Sequence, residues 1–234
     1  MGEIMESASI RYLRYWLDSA QKNQHDGVWL EQEFDQILRA WQALDQMPSS
    51  ELDRGSRDQW LLDLLFAMDN FLESRGMLHE NMVWIVRGLE AARDLKQWVF
   101  VGRLGQDLGW CYRELGQLSK ALEYLQLAYE VRRRFGPKEG EAATLNMIGV
   151  VYDDMGEYQM ALSYFQRALD LRIQAGQLQC EAITRHNMAA TYGNMGNWNS
   201  AKEQYQAALK ISESINDIST VAGILNNLGE LDLI

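Results

Sequence analysis

Residues 148–169 read IGVVYDDMGEYQMALSYFQRAL, and two apolar stripes around one glycine decide how they fold. Ile148, Val151, Tyr152 and Met155 follow the i, i+3, i+4, i+7 spacing of one helical face, and Tyr158, Ala161, Leu162, Phe165, Ala168 and Leu169 trace a second. Gly156 lies between them, the residue type that takes the left-handed conformation ending a helix. The stretch is expected to form two helices folded back on each other as an antiparallel hairpin.

Working outward, the same pattern returns every 40 residues. Leu108-Gly109, Ile148-Gly149, Met188-Ala189 and Leu228-Gly229 superimpose, as do Tyr112, Tyr152 and Tyr192, and then Gly116, Gly156 and Gly196. The register runs on through Ala121, Ala161 and Ala201, through Leu125, Phe165 and Tyr205, and through Ala128, Ala168 and Ala208. Small residues at 109, 149 and 189 let backbones approach, and the tyrosines fill the space between helices. Gly136, Gly176 and Asn216 are expected to end each second helix with a left-handed residue. Residues 68–96 hold a worn copy, with Met68, Leu72, Gly76, Leu78 and Ile85 in register but Asn81 and Gly88 in place of the alanines.

These units resemble the tetratricopeptide repeat through its Leu-Gly, Tyr, Gly, Ala, aromatic-or-Leu and Ala signature over residues 101–215. The period exceeds the family's usual value of about 34, and longer second helices make it similar to kinesin light chain and Pins-type repeats. The resemblance implies an all-α fold, a right-handed α-α superhelix of stacked helical hairpins. The expected divisions are an N-terminal helical cap at 1–56, a degenerate hairpin at 57–97, hairpins at 98–136, 137–176 and 177–216, and a half repeat at 217–234, all in one solenoid. Segments Arg11 to Trp16, Trp29 to Trp41 and Phe71 to Ala92 also look like the lead into the repeat array of bacterial signal-transduction ATPases with numerous domains.

In the resembled family the groove is lined by first helices, off their packing stripe. Carried over, the peptide-binding positions are Arg103, Gln106, Trp110, Arg113 and Glu114, then Asn146, Val150, Asp153 and Asp154, then Ile183, His186, Asn194 and Asn226. Asn146, His186 and Asn226 recur once per repeat and read either as a ladder for the main chain of an extended peptide or as solvated side chains. Trp110 reads as an anchor or as packing at a seam between repeats. The implied function is a non-catalytic scaffold or adaptor for a protein or peptide partner. The alternative is a sensor or regulatory region of a bacterial signalling ATPase or transcription regulator.

Composition narrows the rest. The 234 residues carry 33 acidic and 22 basic side chains, net −11, with the one basic run at Arg132-Arg133-Arg134 beside Glu130, Glu139 and Glu141, which argues against nucleic acid as a partner. Pro48 and Pro137 are the only prolines, so little in the chain opposes helix. Two cysteines make no disulfide framework, and the sequence shows neither a membrane-length apolar run nor a leader, so the expected compartment is the cytoplasm. His25, His79 and His186 are dispersed, the spacing of Cys180 and His186 is poor for a shared metal, and Gly102 to Gly109 lacks the Lys-Ser/Thr of a phosphate loop; no metal, cofactor or catalysis is expected. Val221, Ile224, Leu225, Leu228, Leu231, Leu233 and Ile234 give the last helix more apolar surface than one neighbour covers, which points either to a longer natural chain or to self-association through this end.

Overall fold

Helix ends in this chain fall where a residue can leave the helical conformation. In the computed structural model, which describes residues 7–231, Gly76, Gly116, Gly156, Gly176 and Gly196 have φ between +65° and +76°, and Lys96 and Asn216 both have φ +56°. Each lies just past the end of a helix, and its N–H turns back to the last turn, as Gly156 N does to Asp153 O at 2.8 Å. The elements between these turns are all α-helices, eleven among the described residues, with no strand there.

Gly136 departs from the expected pattern: its φ is −102° and its ψ 170°, so it is extended and not left-handed. The cause is the next residue. Pro137 disfavours helical conformations in the residue before it and pushes that residue to extended geometry. The helix ahead of it accordingly ends at Phe135, and Pro137 becomes the N-cap of the next one.

The chain divides into two compact units, Met1–Leu108 and Gly109–Ile234. The first holds α1 (Ala8–Lys22), α2 (Gly27–Asp45), α3 (Arg54–Ser74), α4 (Leu78–Asp94) and the first part of α5 (Trp98–Glu114). Here α1 and α2 pack on each other and on α3, and α3 pairs with α4. Trp41 of α2 stacks on Trp84 of α4 with ring centroids 4.1 Å apart and planes 4° from parallel. A Cβ on Gly88 would lie 2.4 Å from Leu65 Cδ2, so this glycine permits a close approach that alanine would not. Buried Asp58 is held by Arg87 Nη2 at 2.9 Å, and Arg87 Nε also reaches Asp45 at 2.5 Å.

The second unit continues with the end of α5, then α6 (Leu118–Phe135), α7 (Lys138–Asp154), α8 (Tyr158–Gln174), α9 (Leu178–Asn194), α10 (Trp198–Ser214) and α11 (Ile218–Leu231). Each helix from α6 onward packs on the next. In addition α7 touches α9 and α9 touches α11, whereas among the described residues α6, α8 and α10 make no such contacts with one another. First helices are therefore closer together than second helices, which places them on the inside of this unit's curve.

Small-against-large packing holds the hairpins together. A Cβ on Gly109 would sit 2.5 Å from Leu125 Cγ, and one on Gly149 would sit 2.6 Å from Phe165 Cε1, closer than real side chains come. In the third hairpin Ala189 and Tyr205 occupy one core cluster at the same positions. Tyr112 stacks on Tyr124 and Tyr152 on Tyr164, with centroids 5.2 and 5.4 Å apart.

A polar clamp joins α6 to α7 and α8 to α9. Arg132 Nη1 donates to Gly140 O at 3.0 Å and to Thr144 Oγ1 at 2.9 Å. One repeat later Arg172 Nη1 donates to Cys180 O at 2.7 Å and to Thr184 Oγ1. Arg172 is buried, and desolvation pulls its guanidinium below the ordinary value. The next copy of the register is Ser212 with Ile224, and Ser212 Oγ is buried without a hydrogen-bond partner.

On α11, Ile224 is buried, but Ile218 and Leu225 are 80% and 52% exposed. Leu233 and Ile234, together with the side chain of Leu231, lie outside the described residues.

Gly156 tests the turn geometry. At φ +76° its position is open, so strain and not a clash opposes a side chain there. Gly156→Val is expected to destabilise the protein by about 1 kcal/mol or more and to lower the melting temperature in thermal circular dichroism; an unchanged transition would contradict the left-handed turn.

Candidate functional site

The inner face of the second unit is built by the last turn of α5 and by α7, α9 and α11. Apolar residues on each helix face its partner in the hairpin, which leaves the polar positions between those stripes on the inner wall. Asn146 and Asn187 meet there, the Asn187 amide donating to Asn146 Oδ1 at 3.3 Å. His186 Nε2 and Asn227 Nδ2 are also 3.3 Å apart. At the helix ends, Asn194 Nδ2 donates to Asp153 Oδ2 at 3.1 Å, and Arg113 donates to Asp154 through Nε at 2.5 Å and Nη2 at 3.3 Å.

All four links join residue i to residue i+41, one more than the repeat period. Of the expected ladder of Asn146, His186 and Asn226, Asn146 is bound by Asn187 and His186 lies against Asn227. Asn187 and Asn227 were missed by reading at a fixed 40-residue register; the asparagines following His186 and Asn226 are the sequence signal that reveals them.

The remaining expected positions divide. Arg113 also donates to Glu114 at 3.1 Å, and Asp154 holds its guanidinium above the ordinary value against the opposing effect of burial. Val150 packs on the cluster of Ala161, Phe165, Leu169 and Met188, Trp110 is half-buried, and Ile183 is exposed. Arg103 lies in the first unit, where it donates to Asp69 at 2.5 Å and sits 4.8 Å from the Phe66 ring centroid. Gln106 is half-buried in the same unit.

The wall is more acidic than basic. Glu114, Asp153 and Asp154 surround the Arg113 guanidinium, while burial drives the His186 imidazole below its usual value. Such a surface offers amide donors and acceptors, carboxylates and partly covered apolar groups. Among the described residues no cluster of three or more His, Cys, Asp or Glu side chains could hold a metal, and no helix is long and apolar enough to cross a membrane.

Hairpins stacked around an inner wall of first helices define a protein of the α-solenoid class. The tetratricopeptide repeat family model matches residues 104–174 and 140–214, the stretch that carries the sequence resemblance. Among solved structures it is similar to the nearly identical TPR-like repeats of a Podosopora anserina kinesin light chain, with 16% identity, a TM-score of 0.64 and coverage of 90% of this chain and 99% of that one. It is likewise similar to a signal-transduction ATPase with a tetratricopeptide repeat sensor from Pyrococcus horikoshii, at 18% identity and TM-score 0.63, covering 91% of this chain and 33% of that one. A Rap protein complexed with competence and sporulation factor is a third, at 15% identity and TM-score 0.63, covering 96% and 70%. At these identities the likeness is one of fold. No curated protein matches the sequence.

The buried imidazole has a consequence for pH. Since His186 is lowered from 6.5 in the folded chain, the unfolded state binds the proton more readily, so its stabilising effect is present above 6.5 and is lost as pH falls through and below that value. The groups facing it are the Tyr205 ring on α10, edge-on at 5.4 Å, and the Asn227 amide on α11, neither of which offers a counter-charge. Stability measured by urea unfolding should fall between pH ~7.5 and ~5.5, and His186→Gln should flatten that slope. A slope unaffected by the substitution would show that His186 is not its source.

Proposed function

We propose that the inner wall of the second unit binds a polypeptide segment of a partner protein, and that the chain acts as a non-catalytic scaffold or adaptor in the cytoplasm. The observation that carries this reading is the row of amide, imidazole and carboxylate groups recurring once per repeat along α7, α9 and α11. Hydrogen-bonding groups at a regular spacing suit the regularly spaced N–H and C=O groups of a main chain. Half-buried Trp110 supplies an aromatic side chain at the start of the row. The structural likeness to a Rap protein complexed with competence and sporulation factor supports a binding role for such a fold.

Trp110→Ala combined with Asn146→Asp removes the aromatic group and converts one amide to a charge. Partner recovery from lysate of the source cell should fall about tenfold, a loss of about 1.4 kcal/mol, while the helical circular dichroism is retained. Undiminished recovery would remove the inner wall from the function. A sensor region within a longer signalling ATPase is the alternative; the likeness to a signalling ATPase with a repeat sensor favours it, and it predicts a nucleotide-binding domain in the same polypeptide.

A second reading concerns α11. Between Ile218 and Gly229 no side chain is ionisable, although the chain carries net −11. A second copy can therefore approach this apolar face without the like-charge repulsion met elsewhere. We infer self-association here; sedimentation equilibrium should show a dimer that Leu225→Glu disperses, and a wild-type monomer at high concentration would refute it.

A further inference from the structure

The edge of the second unit where α5, α7 and α9 turn into α6, α8 and α10 carries apolar side chains that its fold leaves partly exposed. Met155 and Met195 are the C-caps of α7 and α9, in ordinary right-handed geometry that any residue adopts. Even so, the chain places methionine at both, 42% and 38% exposed. Trp198, which opens α10, is 43% exposed, and its ring lies 3.8 Å from where a Cβ on Gly193 would stand, over the last turn of α9. The turns are pinned side by side: Arg113 at the end of α5 binds Asp154, and Asp153 accepts from Asn194. Met155, Met195 and Trp198 thus follow one another along a single edge.

Carboxylates border this strip. Glu114, Asp153, Asp154 and Glu157 adjoin the same turns and outnumber the cations there: Arg113, paired with Asp154 and Glu114, Lys120, whose ammonium lies over the Tyr112 ring at 5.2 Å, and Lys202, one turn after Trp198. Flexible, polarisable methionine side chains with an aromatic neighbour suit an apolar partner surface, and a negative rim suits cations beside it.

Spacing selects the partner's conformation. Neighbouring first helices in contact are about 8–10 Å apart, and seven residues of α-helix advance about 10.5 Å and return to the same face. An extended strand covers that distance in about three residues and arrives on its opposite face. We propose that this edge is a second docking surface, adjoining the inner wall at Glu114, Asp153 and Asp154, and that it takes a basic amphipathic helix of a partner protein.

The probe is a synthetic helical peptide with leucine along one face and lysine on the others, titrated against the full chain carrying ¹³C-methyl methionine. The signals of Met155 and Met195 should move while that of buried Met188 stays in place. Met155→Gln with Met195→Gln should weaken binding about tenfold, and so should replacing the peptide's lysines by glutamine. Trp110→Ala should leave this affinity unchanged, which separates the edge from the inner wall. Three results would each overturn the proposal: no binding of the lysine peptide, binding that survives the double methionine substitution and so reflects diffuse attraction to an acidic protein, or equal binding of the glutamine peptide.

Discussion

Close contact between a residue without a bulky side chain and a large one opposite it is the constraint on which the second unit depends. Phe165 lies where a Cβ on Gly149 would stand, and Leu125 does the same at Gly109. Such contact brings the first and second helices of a hairpin near enough for the rest of the stripe to be buried. Closer approach between first helices than between second helices then produces the curve and its inner wall. Enlarging the small partner would separate the helices and, through them, the residues on the wall.

The wall is ordered by links between side chains. Amide, imidazole and carboxylate groups join neighbouring repeats, which fixes their rotamers before any partner arrives. Prior ordering lowers the entropy lost on binding. The buried clamps of Arg132 and Arg172 have a different role on the packing side: they satisfy carbonyls in the first turns of α7 and α9 and set how successive hairpins meet. Where Ser212 and Ile224 replace the arginine and threonine, that contact becomes less polar.

Much of this was legible in the sequence, because helical hairpins write their packing into a repeating pattern. Gly116, Gly156 and Gly196 marked the turns, and the tyrosine and alanine columns marked the buried faces. Gly136 was misread because the effect of a following proline is local and breaks the repeat's own rule. The arginine clamp left only a faint mark, because Arg132 lies within a basic run; threonine twelve residues after arginine, in both Arg132/Thr144 and Arg172/Thr184, is the trace it leaves. The division inside α5 left no mark, since helical periodicity runs without a break from Trp98 to Glu114. Which polar groups meet across the wall was also hidden, because a fixed period aligns equivalent residues and not touching ones.

That one-residue offset gives the wall a slope. Each link advances 41 positions where the repeat advances 40, so every step from one first helix to the next also climbs one residue, about 1.5 Å along the axis over a lateral distance of about 8–10 Å. The row is inclined like a handrail, by roughly 10° from the perpendicular to the helices. A chain laid along it would cross the repeats obliquely, so its two directions of travel would meet different sequences of hydrogen-bonding groups, and the wall would distinguish its N-to-C orientation.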